Sequence, residues 1–416
     1  MTPTPIPSPN AQQSTPQPSF TPEEVARARA DTPGCAKVAH FNNAGAALMP
    51  RQVLDASVRH LRLEAEMGGY EAAARAAEDI EGVYDSAARL LNCDRDEIAL
   101  MDSATRAWDL AFFSVPFRPG DRVLTSMAEY ASNFIAYLQA AERHGVRVEV
   151  VPNDEHGQIS VDALRAAMDE RVRLVSLTHV PTNGGLVNPA AEVGKVAREA
   201  GALYLLDACQ SVGQLAVDVR EIGCDMLSTT GRKYLRAPRG TGLLHVRREA
   251  LDRLVPQVLD LHAATWTAPD RYEVRPDARR FETWEANYAA RLGFGAALDH
   301  ALSWGLPKIQ DQVTSLAATL RERLGEIPGV RVHDRGVRRC GITTFTVDGV
   351  AAERVASDLA AQGLNVSVSG VSSTRLDMEE RGLEEVVRAS VHYYNTDEEM
   401  TALVRAVRNC ARATRP

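Results

Sequence analysis

The alternation of short apolar runs with helical stretches from about residue 98 onward constrains the fold of this chain most. Val161–Met168 and Ala190–Ala200 have apolar residues at helical spacing, whereas the shorter apolar runs have the length of buried strands. Strands that alternate with helices form a mostly parallel sheet covered on both faces. The sequence therefore predicts an α/β large domain. Its predicted strands are Ile98–Met101, Val123–Ser126, Val146–Val151, Leu174–Thr178, Ala202–Leu206 and Gly240–Val246.

The C-terminal part of the chain has a different pattern. A long helical stretch follows Pro307, and the strand-like runs Ile342–Val347 and Val386–Tyr393 come after it. A helix is predicted near Asp397–Asn409. This order indicates a smaller α+β domain over residues 301–416.

The N-terminal residues divide into a tail and a structured segment. Residues 1–20 are rich in Pro, Ser, Thr and Gln, and such a segment cannot bury enough apolar surface to become ordered. Thr21 followed by Pro22 is typical of a helix start. We therefore expect a disordered tail, then an N-terminal segment of the small domain over residues 21–50. The large domain is expected over residues 51–300.

The composition of the chain limits which binding partners and which cellular compartment are expected. The formal net charge is −8 and the sequence pI is near 5.8, which argues against a nucleic-acid or anionic-membrane partner. Neither an apolar run of transmembrane length nor a secretory signal is present in the sequence. Six scattered cysteines without a CxxC pair indicate neither a disulfide framework nor a zinc site. A reduced, cytoplasmic location and a site without metal are the expectations.

Two residues at predicted strand ends stand out chemically. Asp207 directly follows the strand Ala202–Leu206, and Lys233 follows the strand-like run Met226–Ser228. Ligands bind at the carboxyl edge of an open parallel sheet, so both side chains are expected there. An aspartate in this position is also common as a helix cap or turn residue, and by itself it would be interpreted that way.

The chain contains few lysines, which limits the candidates for covalent chemistry. Lysine occurs only at Lys37, Lys195, Lys233 and Lys308. The first lies near the N-terminus, the second in a polar helix and the last at a helix start, which leaves Lys233 as the lysine placed for covalent chemistry. A lysine that attaches pyridoxal 5′-phosphate (PLP), with Asp207 holding the pyridine nitrogen protonated, fits this pair of residues.

The cofactor phosphate would need several hydrogen-bond donors. The segment DSAT, residues 102–105, lies between a predicted strand and a predicted helix, so Ser103, Thr105 and free backbone N–H groups lie at a helix N-terminus. By itself the segment is better interpreted as a simple N-cap. Thr230 and Arg232, beside the lysine, are expected to complete the phosphate site.

The order of the motifs resembles the class V aminotransferase group of fold-type I PLP enzymes, which includes cysteine desulfurases. The resemblance extends from about Phe41 to Thr396, and no single motif carries it. The resemblance implies a fold-type I PLP-dependent transferase fold and, together with the polar and aromatic RRFETWEAN stretch, a homodimer. The motifs are FNNAGAALMP, DSATRAW, AEYASNF, HVPTNGGLVNP, DACQS, STTGRKYLRAPRGTG, RRFETWEAN and VRASVHYYNT.

The resemblance also implies roles for particular residues. Lys233 resembles the Schiff-base lysine, Asp207 the partner of the pyridine nitrogen, and Gln210 the glutamine that hydrogen-bonds the phenolic oxygen of the cofactor. Tyr130 falls at the position of a ring-stacking aromatic residue, although a core or surface aromatic is the alternative. The expected phosphate-binding set is Ser103, Ala104, Thr105, Thr230 and Arg232.

The remaining site residues are expected around the substrate. In HVPTNGG, either Thr182 or Asn183 is expected near the cofactor oxygen, and the sequence does not choose between them. Arg388 resembles the arginine that binds the substrate carboxylate, and a guanidinium suits that task because it donates two parallel hydrogen bonds. A strand arginine in a surface salt bridge is the alternative. Asn43, in FNNAGAALMP, is expected to contact the amino-acid substrate.

One departure from the family pattern shapes the expected reaction. Desulfurases use a loop cysteine as sulfur acceptor, whereas Val366–Arg375 contains four serines and no cysteine. The run EAEMGGY, at residues 64–70, together with RKYLRAPRGTG, at residues 232–242, resembles hercynylcysteine sulfoxide lyases, and isopenicillin N epimerase-like proteins share much of the same frame. We therefore expect a PLP-dependent C–S lyase that converts a cysteine-derived amino acid or its sulfoxide to pyruvate and ammonia, and not a persulfide-forming desulfurase. A class V aminotransferase or an amino-acid epimerase is the alternative, whereas a non-catalytic PLP-binding regulator is disfavoured.

Overall fold

The computed structural model describes residues 20–412. The predicted disordered tail lies outside these residues, except for its last member. Phe20 is buried and stacks on Tyr393 with ring centroids 5.3 Å apart, and its N–H donates to the side chain of Gln312 at 3.2 Å. Phe20 is therefore part of the folded structure, contrary to the prediction, because its aromatic ring packs against other rings in the core.

Helices alternate with strands over most of the described residues. Thr21 caps the first helix and accepts a hydrogen bond from the Glu24 N–H, as predicted for that segment. The helices are α1 (Pro22–Ala30), α2 (Asn43–Ala46), α3 (Arg51–Met67), α4 (Gly69–Arg75), α5 (Ala77–Leu91), α6 (Ala104–Phe113), α7 (Ala131–His144), α8 (Val161–Ala167), α9 (Ala190–Glu199), α10 (Val219–Ile222), α11 (Tyr288–Trp304), α12 (Leu306–Gly325), α13 (Ala352–Ala360), α14 (Arg375–Glu380) and α15 (Asp397–Arg412).

The strands belong to two larger sheets and two short pairs. They are β1 (Ala39–His40), β2 (Ile98–Met101), β3 (Arg122–Ser126), β4 (Arg147–Val151), β5 (Val172–Thr178), β6 (Leu203–Asp207), β7 (Met226–Thr230), β8 (Gly242–Val246), β9 (Ala264–Ala268), β10 (Arg271–Val274), β11 (Val330–Val332), β12 (Ile342–Val347), β13 (Leu364–Asn365), β14 (Ser367–Gly370) and β15 (Glu385–Ser390).

The large sheet has seven strands in the order β2-β8-β7-β6-β5-β3-β4. Neighbouring strands from β7 to β4 are parallel, and only β8 runs antiparallel to its neighbours β7 and β2. Strands β2, β6 and β7 are buried along their whole length, as expected where helices cover both faces. This confirms the predicted α/β large domain and brings the ends of β2, β5, β6 and β7 to one edge.

The small sheet is antiparallel, in the order β11-β12-β15-β14. Two of its strands, β12 and β15, were predicted from apolar runs, although β15 ends at Ser390, three residues before the predicted Tyr393. The other two were not predicted. The serine-rich segment Val366–Arg375 contains β14 and is not only a loop. Ser367 of β14 lies opposite Arg388 of β15. Serines are poor signals for a strand, and here pairing with a buried neighbour overrides local preference.

The buried apolar side chains lie on both faces of the large sheet. One cluster packs β2, β6 and β7 together with α5, α11 and the helices and strands of the small sheet. The other contains the stacked rings of Trp108 and Phe112, 4.8 Å apart, and packs on the opposite face. Because one cluster is shared by both sheets, the small sheet is held firmly against the site edge. In residues 20–412, no helix combines the length and apolar character needed to cross a membrane.

Candidate active site

A cavity opens at the edge where β2, β5, β6 and β7 end. Ten of the thirteen residues predicted for the site line this cavity, and they come from five separate parts of the sequence. Parallel strands bring their carboxyl ends together, which explains why residues distant in sequence meet here. The ten are Ser103, Ala104, Thr105, Tyr130, Thr182, Asp207, Gln210, Thr230, Arg232 and Lys233.

Lys233 lies in the turn that follows β7, with its amine in the cavity. None of the ion pairs in the described part of the chain involves it. Burial lowers the pKa of Lys233, so a larger fraction of the amine is neutral at a given pH. Only a neutral amine attacks an aldehyde, and the surroundings therefore favour covalent attachment of PLP.

The backbone after Lys233 is held in a strained turn. Arg236 has φ +64°, a left-handed conformation that is rare for a residue other than glycine. Its buried guanidinium donates to the Leu48 carbonyl at 2.8 Å and to the Tyr393 hydroxyl at 2.5 Å. These contacts fix the lysine turn against the N-terminal segment and the segment that follows β15. Sequence reasoning did not identify Arg236, because its neighbours come from distant segments.

Asp207 ends β6 and is oriented by two donors. Its Oδ1 accepts from the Cys209 N–H at 2.9 Å, and its Oδ2 accepts from the Asn133 side chain at 2.9 Å. A carboxylate fixed in this way can hold a proton on a ring nitrogen in a constant position. The predicted pairing of Asp207 with the pyridine nitrogen agrees with this geometry and remains a proposal.

A buried glutamate behind Asp207 was not predicted. Glu129 accepts from Thr125 Oγ1 at 2.8 Å and from the amide of Asn133 at 2.9 Å, so Asn133 bridges the two carboxyl groups. Burial raises the pKa of Glu129, although hydrogen bonds oppose it, which favours a neutral partner beside Asp207. The only sequence signal was the i, i+4 spacing of Glu129 and Asn133 across the start of α7, which is too common to be diagnostic.

The expected phosphate donors surround the first turn of α6. Ser103 is the N-cap, and its hydroxyl accepts from the Arg106 N–H at 3.1 Å, which leaves the first N–H groups of α6 free for an anion. A Cβ built on Gly242 would lie 2.7 Å from the Thr229 carbonyl oxygen and 3.1 Å from the Ser103 carbonyl carbon. Only glycine permits β8 to approach so closely, and this approach shapes the floor of the donor cluster.

Two buried polar atoms point to a polar ligand in the cavity. Trp108 Nε1 and Gln210 Oε1 belong to lining residues, and neither has a hydrogen-bond partner within the described residues. Buried polar groups are normally satisfied, so these atoms indicate that the cavity is built for a ligand with its own polar groups. The lysine, the carboxylate and the phosphate donors together fit PLP.

Arg388 lies behind the cavity rather than on its surface. It is buried on β15, where Nη1 donates to Thr182 Oγ1 at 2.6 Å and Nε donates to Ser367 Oγ at 3.2 Å. Both partners are neutral, and no carboxylate in residues 20–412 pairs with it. A buried cation without an anion attracts one strongly, and Thr182 joins it to the cavity wall. The surface salt bridge considered for Arg388 is therefore excluded.

Two predicted site residues lie elsewhere. Asn43 is fully buried, and its amide donates to the Ser390 carbonyl at 2.7 Å while its oxygen accepts from the Tyr394 hydroxyl. These bonds occupy its polar groups and tie α2 to β15. Asn183 turns toward the small sheet and donates to the Gly370 carbonyl at 3.1 Å. Of the two alternatives left open by the sequence, Thr182 is the one that lines the cavity.

Comparison with known proteins decides the family. The family model "Aminotransferase class-V" matches residues 39–403, which is most of the chain. The chain belongs to the class V aminotransferase family. As a member of this family it is a PLP-dependent enzyme, in agreement with the residues that line the cavity.

The relatives of this class V enzyme carry a consistent description. A probable cysteine desulfurase of Methanothermobacter thermautotrophicus is 32% identical over 81% of this chain and 84% of its own length. A probable cysteine desulfurase of Xylella fastidiosa strain Temecula1 is 30% identical over 92% of this chain and 94% of its own length. The apo structure of a cysteine desulfurase from Thermococcus onnurineus NA1 superposes with a TM-score of 0.87, at 24% identity over 95% of this chain and 100% of that chain.

These comparisons correct the expected reaction. We predicted a C–S lyase that releases pyruvate and set persulfide-forming desulfuration aside, and this prediction was wrong. The curated relatives that match over more than four fifths of the chain are described as cysteine desulfurases. The resemblance of the short EAEMGGY run, at residues 64–70, to sulfoxide lyases does not outweigh similarity along the whole chain.

The absence of a cysteine from Val366–Arg375 is nevertheless a property of this class V enzyme. The segment forms β14, a short 3₁₀ turn over Val371–Ser373 and the first residue of α14. Among the described cysteines, Cys209 alone lines the cavity. Burial raises the pKa of the Cys209 thiol, and the negative charge of Asp207 raises it further, so the thiolate is disfavoured.

Proposed function

We propose that this enzyme removes the sulfur of L-cysteine and releases alanine. The full-length similarity to cysteine desulfurases, combined with a cavity that contains a lysine with a lowered pKa, is the observation that carries the proposal. Without a cysteine in Val366–Arg375, and with a protonated Cys209, the sulfur would pass to the thiol of a separate molecule. Cysteine and two equivalents of that thiol would then give alanine, hydrogen sulfide and a disulfide.

Each residue of the cavity has a definite task in this reaction. Bound PLP supplies a protonated ring that stabilises negative charge next to the substrate nitrogen. Lys233 Nζ attaches the cofactor and, once released by substrate, takes the proton from the substrate Cα. Asp207 holds the ring-nitrogen proton, and Asn133 keeps that carboxylate oriented. Arg388 provides the positive charge for the substrate carboxylate.

The cofactor phosphate is proposed to lie at the start of α6. The free N–H groups there and the hydroxyls of Thr105 and Thr230 would donate to it, and Arg232 would balance its charge. Tyr130 is proposed to cover the ring, since it caps the start of α7 on the cavity wall. Gln210, whose Nε2 donates to the Ala44 carbonyl at 3.1 Å, is proposed to contact the phenolic oxygen through its position beside Thr182.

We also propose that the enzyme works as a cytoplasmic homodimer. The cavity shares Asp102 and Gly240 with a neighbouring groove, which is further lined by Leu61, Arg106 and Thr283. Exposed apolar side chains also lie on α3 and α4, among them Leu54, Leu61 and Tyr70. Exposed apolar side chains on two successive helices favour a protein interface there.

A product analysis tests the reaction. Purified enzyme with PLP, L-cysteine and excess dithiothreitol should form alanine and sulfide in equal amounts over many turnovers. Cys209→Ala should keep this activity, because the external thiol receives the sulfur. Pyruvate in place of alanine, or a single turnover that stops with the cofactor converted to pyridoxamine phosphate, would contradict desulfuration.

A further inference from the structure

A second group of potential ligands lies at the edge of the large sheet opposite the cavity. Glu97 immediately precedes β2, and His245 lies near the end of β8, with Ile98 directly opposite it in the antiparallel register. Cys93 follows the last turn of α5. The other ends of the same strands, Met101 and Gly242, lie at the PLP edge, so this group is separate from the site already described.

The three side chains converge on one point. Cys93 Sγ, a carboxylate oxygen of Glu97 and an imidazole nitrogen of His245 all lie within 4.8 Å of one another. Glu97 Oε2 and His245 Nε2 are 3.8 Å apart, which is longer than a hydrogen bond. Bonds of about 2.0–2.3 Å to a shared zinc ion would place two ligand atoms roughly 3.3–3.8 Å apart in a tetrahedral site.

The His245 ring has unused hydrogen-bonding capacity. Its side chain is 2% exposed, and Nδ1 has no partner within the part of the chain that the structure describes. A buried imidazole nitrogen without a hydrogen-bond partner is costly in a folded protein. Imidazole is among the commonest metal ligands, and this buried ring, with one nitrogen unpartnered, offers a ligand atom within 4.8 Å of a thiol and a carboxylate, which supports a cation site.

The carboxylate is held in position for such a role. Glu97 Oε1 accepts from the Arg248 N–H at 2.8 Å, and Oε2 accepts from the Asp94 N–H at 3.1 Å. Each oxygen keeps a free lone pair for a metal. The site is thus fixed by backbone groups, as the surroundings of metal ligands commonly are.

The charges near the cluster do not exclude a cation. Arg220 pairs with Asp94 at 3.0 Å, and Arg247 pairs with Asp225. A small cavity beside the ligands is also lined by Arg198, Glu249 and the buried Cys224. This cavity leaves room for a water molecule as a further ligand.

We propose that Cys93, Glu97 and His245 bind a zinc ion that joins α5 and the edge strand β2 to β8. A thiolate, an imidazole and a carboxylate form a ligand set that zinc accepts in tetrahedral geometry, and water from the cavity would complete it. The spacing of these residues in sequence matches no zinc motif. The site is assembled by strand pairing, so it is visible only in the fold.

Zinc analysis of the PLP-loaded enzyme tests the site. After incubation with zinc chloride and desalting, the wild-type protein should retain about one zinc ion per chain. Cys93→Ser and His245→Gln should each lose most of this zinc. Cys35→Ser is the matched control, since Cys35 is also a free and partly exposed cysteine, and it should retain zinc like the wild type.

The absorption spectrum of the cobalt-loaded wild-type enzyme tests the same site without a variant, so the result does not depend on how well a variant folds. Cobalt-loaded wild-type enzyme should show the strong visible bands of tetrahedral coordination, with sulfur-to-metal charge transfer from Cys93. No retained zinc in the wild type, equal zinc in Cys93→Ser and Cys35→Ser, or the weak bands of octahedral cobalt would each overturn the proposal.

Discussion

Lys233 is the residue on which the chemistry of this enzyme depends, and its removal gives the first prediction. Lys233→Ala should bind PLP without a covalent bond, since the phosphate donors and Asp207 remain while the attaching amine is gone. Treatment with borohydride should fix cofactor to the wild-type chain and not to the variant, as mass spectrometry would show. A reducible adduct in Lys233→Ala would place the attachment on another residue.

The pH dependence of cofactor capture reports the surroundings of the same amine. Burial lowers the pKa of Lys233, so its neutral form persists to lower pH than for a free lysine, whose ordinary value is 10.5. The rate at which apoenzyme captures PLP should rise with pH and reach its half-maximum below that value. Stopped-flow absorbance over a pH series, with N-acetyl-lysine as control, measures this. Identical midpoints for enzyme and control would show that burial has no effect.

The guanidinium of Arg388 is expected to serve substrate rather than stability. Arg388→Lys keeps the positive charge but loses the two-pronged donor geometry. Loss of a charge-assisted hydrogen bond of about 1.5–3 kcal/mol predicts a fall in kcat/KM of roughly 10- to 100-fold, chiefly through KM. Steady-state kinetics with the PLP content measured in parallel checks this. Unchanged KM at normal PLP content would remove Arg388 from the site.

At the residue scale, the sequence identified the side chains with distinctive chemistry and missed the residues that hold them in place. Lys233 and Asp207 were recognisable because each follows a predicted strand, and both line the cavity. Glu129 and Arg236 were not, since their importance comes from hydrogen bonds to residues far away in sequence. Asn43, predicted from its motif to contact substrate, has its polar groups bonded to Ser390 and Tyr394 in the structure.

At the scale of helices and strands, predictions were accurate where burial dominates. Strand β2 matches its predicted bounds, and β6 and β7 differ from theirs by one or two residues, because each of these strands begins with apolar residues, which indicate burial. The pairs formed by β9 with β10 and by β11 with β12 were not predicted in full. Strands β9, β10 and β11 have at most five residues, and most of these are exposed or partly exposed, so no periodic apolar signal marks them.

Glu282 lies in the connection before α11, and its contacts with several helices and strands can be tested. Glu282 has a fully buried side chain and accepts from the Tyr84 hydroxyl at 2.8 Å, the Leu100 N–H at 2.8 Å and Arg291 Nη2 at 3.1 Å. It therefore links α5, β2 and α11. Burial would raise the pKa of Glu282, but the contact of His262, the charge of Arg291 and these hydrogen bonds lower it below 4.5.

Glu282→Gln should therefore destabilise the protein by about 3 kcal/mol near neutral pH, since Arg291 would lose its buried partner. A folded pKa below the unfolded value contributes stability above the unfolded pKa and loses it as the pH falls through about 4.5 and lower. The difference in unfolding free energy between wild type and variant should thus shrink on acidification. Urea unfolding at several pH values measures it, with the exposed Glu285→Gln as control. A difference independent of pH would contradict the assignment.

At the scale of the whole molecule, similarity along the chain was more informative about the reaction than any one motif. The predicted lyase depended on a missing cysteine and on the resemblance of two short motifs, and both kinds of evidence are local. A PLP scaffold supports several reactions with the same lysine and aspartate, so these residues could not distinguish among them. The relatives, in contrast, match over more than four fifths of the chain.

The proposed dimer gives the last prediction. Leu61 is 53% exposed and lines the groove beside the cavity, and Tyr70, 77% exposed, extends the apolar surface onto α4. A charge introduced there would have to be desolvated in an interface, so Leu61→Glu should shift the protein toward monomer. Activity should fall with it, because the groove and the cavity share Asp102 and Gly240. Light scattering and the alanine assay on the same samples would show both effects.

Val337→Glu, at a site 50% exposed on the connection before β12, is the control and should remain dimeric and active. A wild-type enzyme that is monomeric and fully active would show that the apolar surface of α3 and α4 has another purpose.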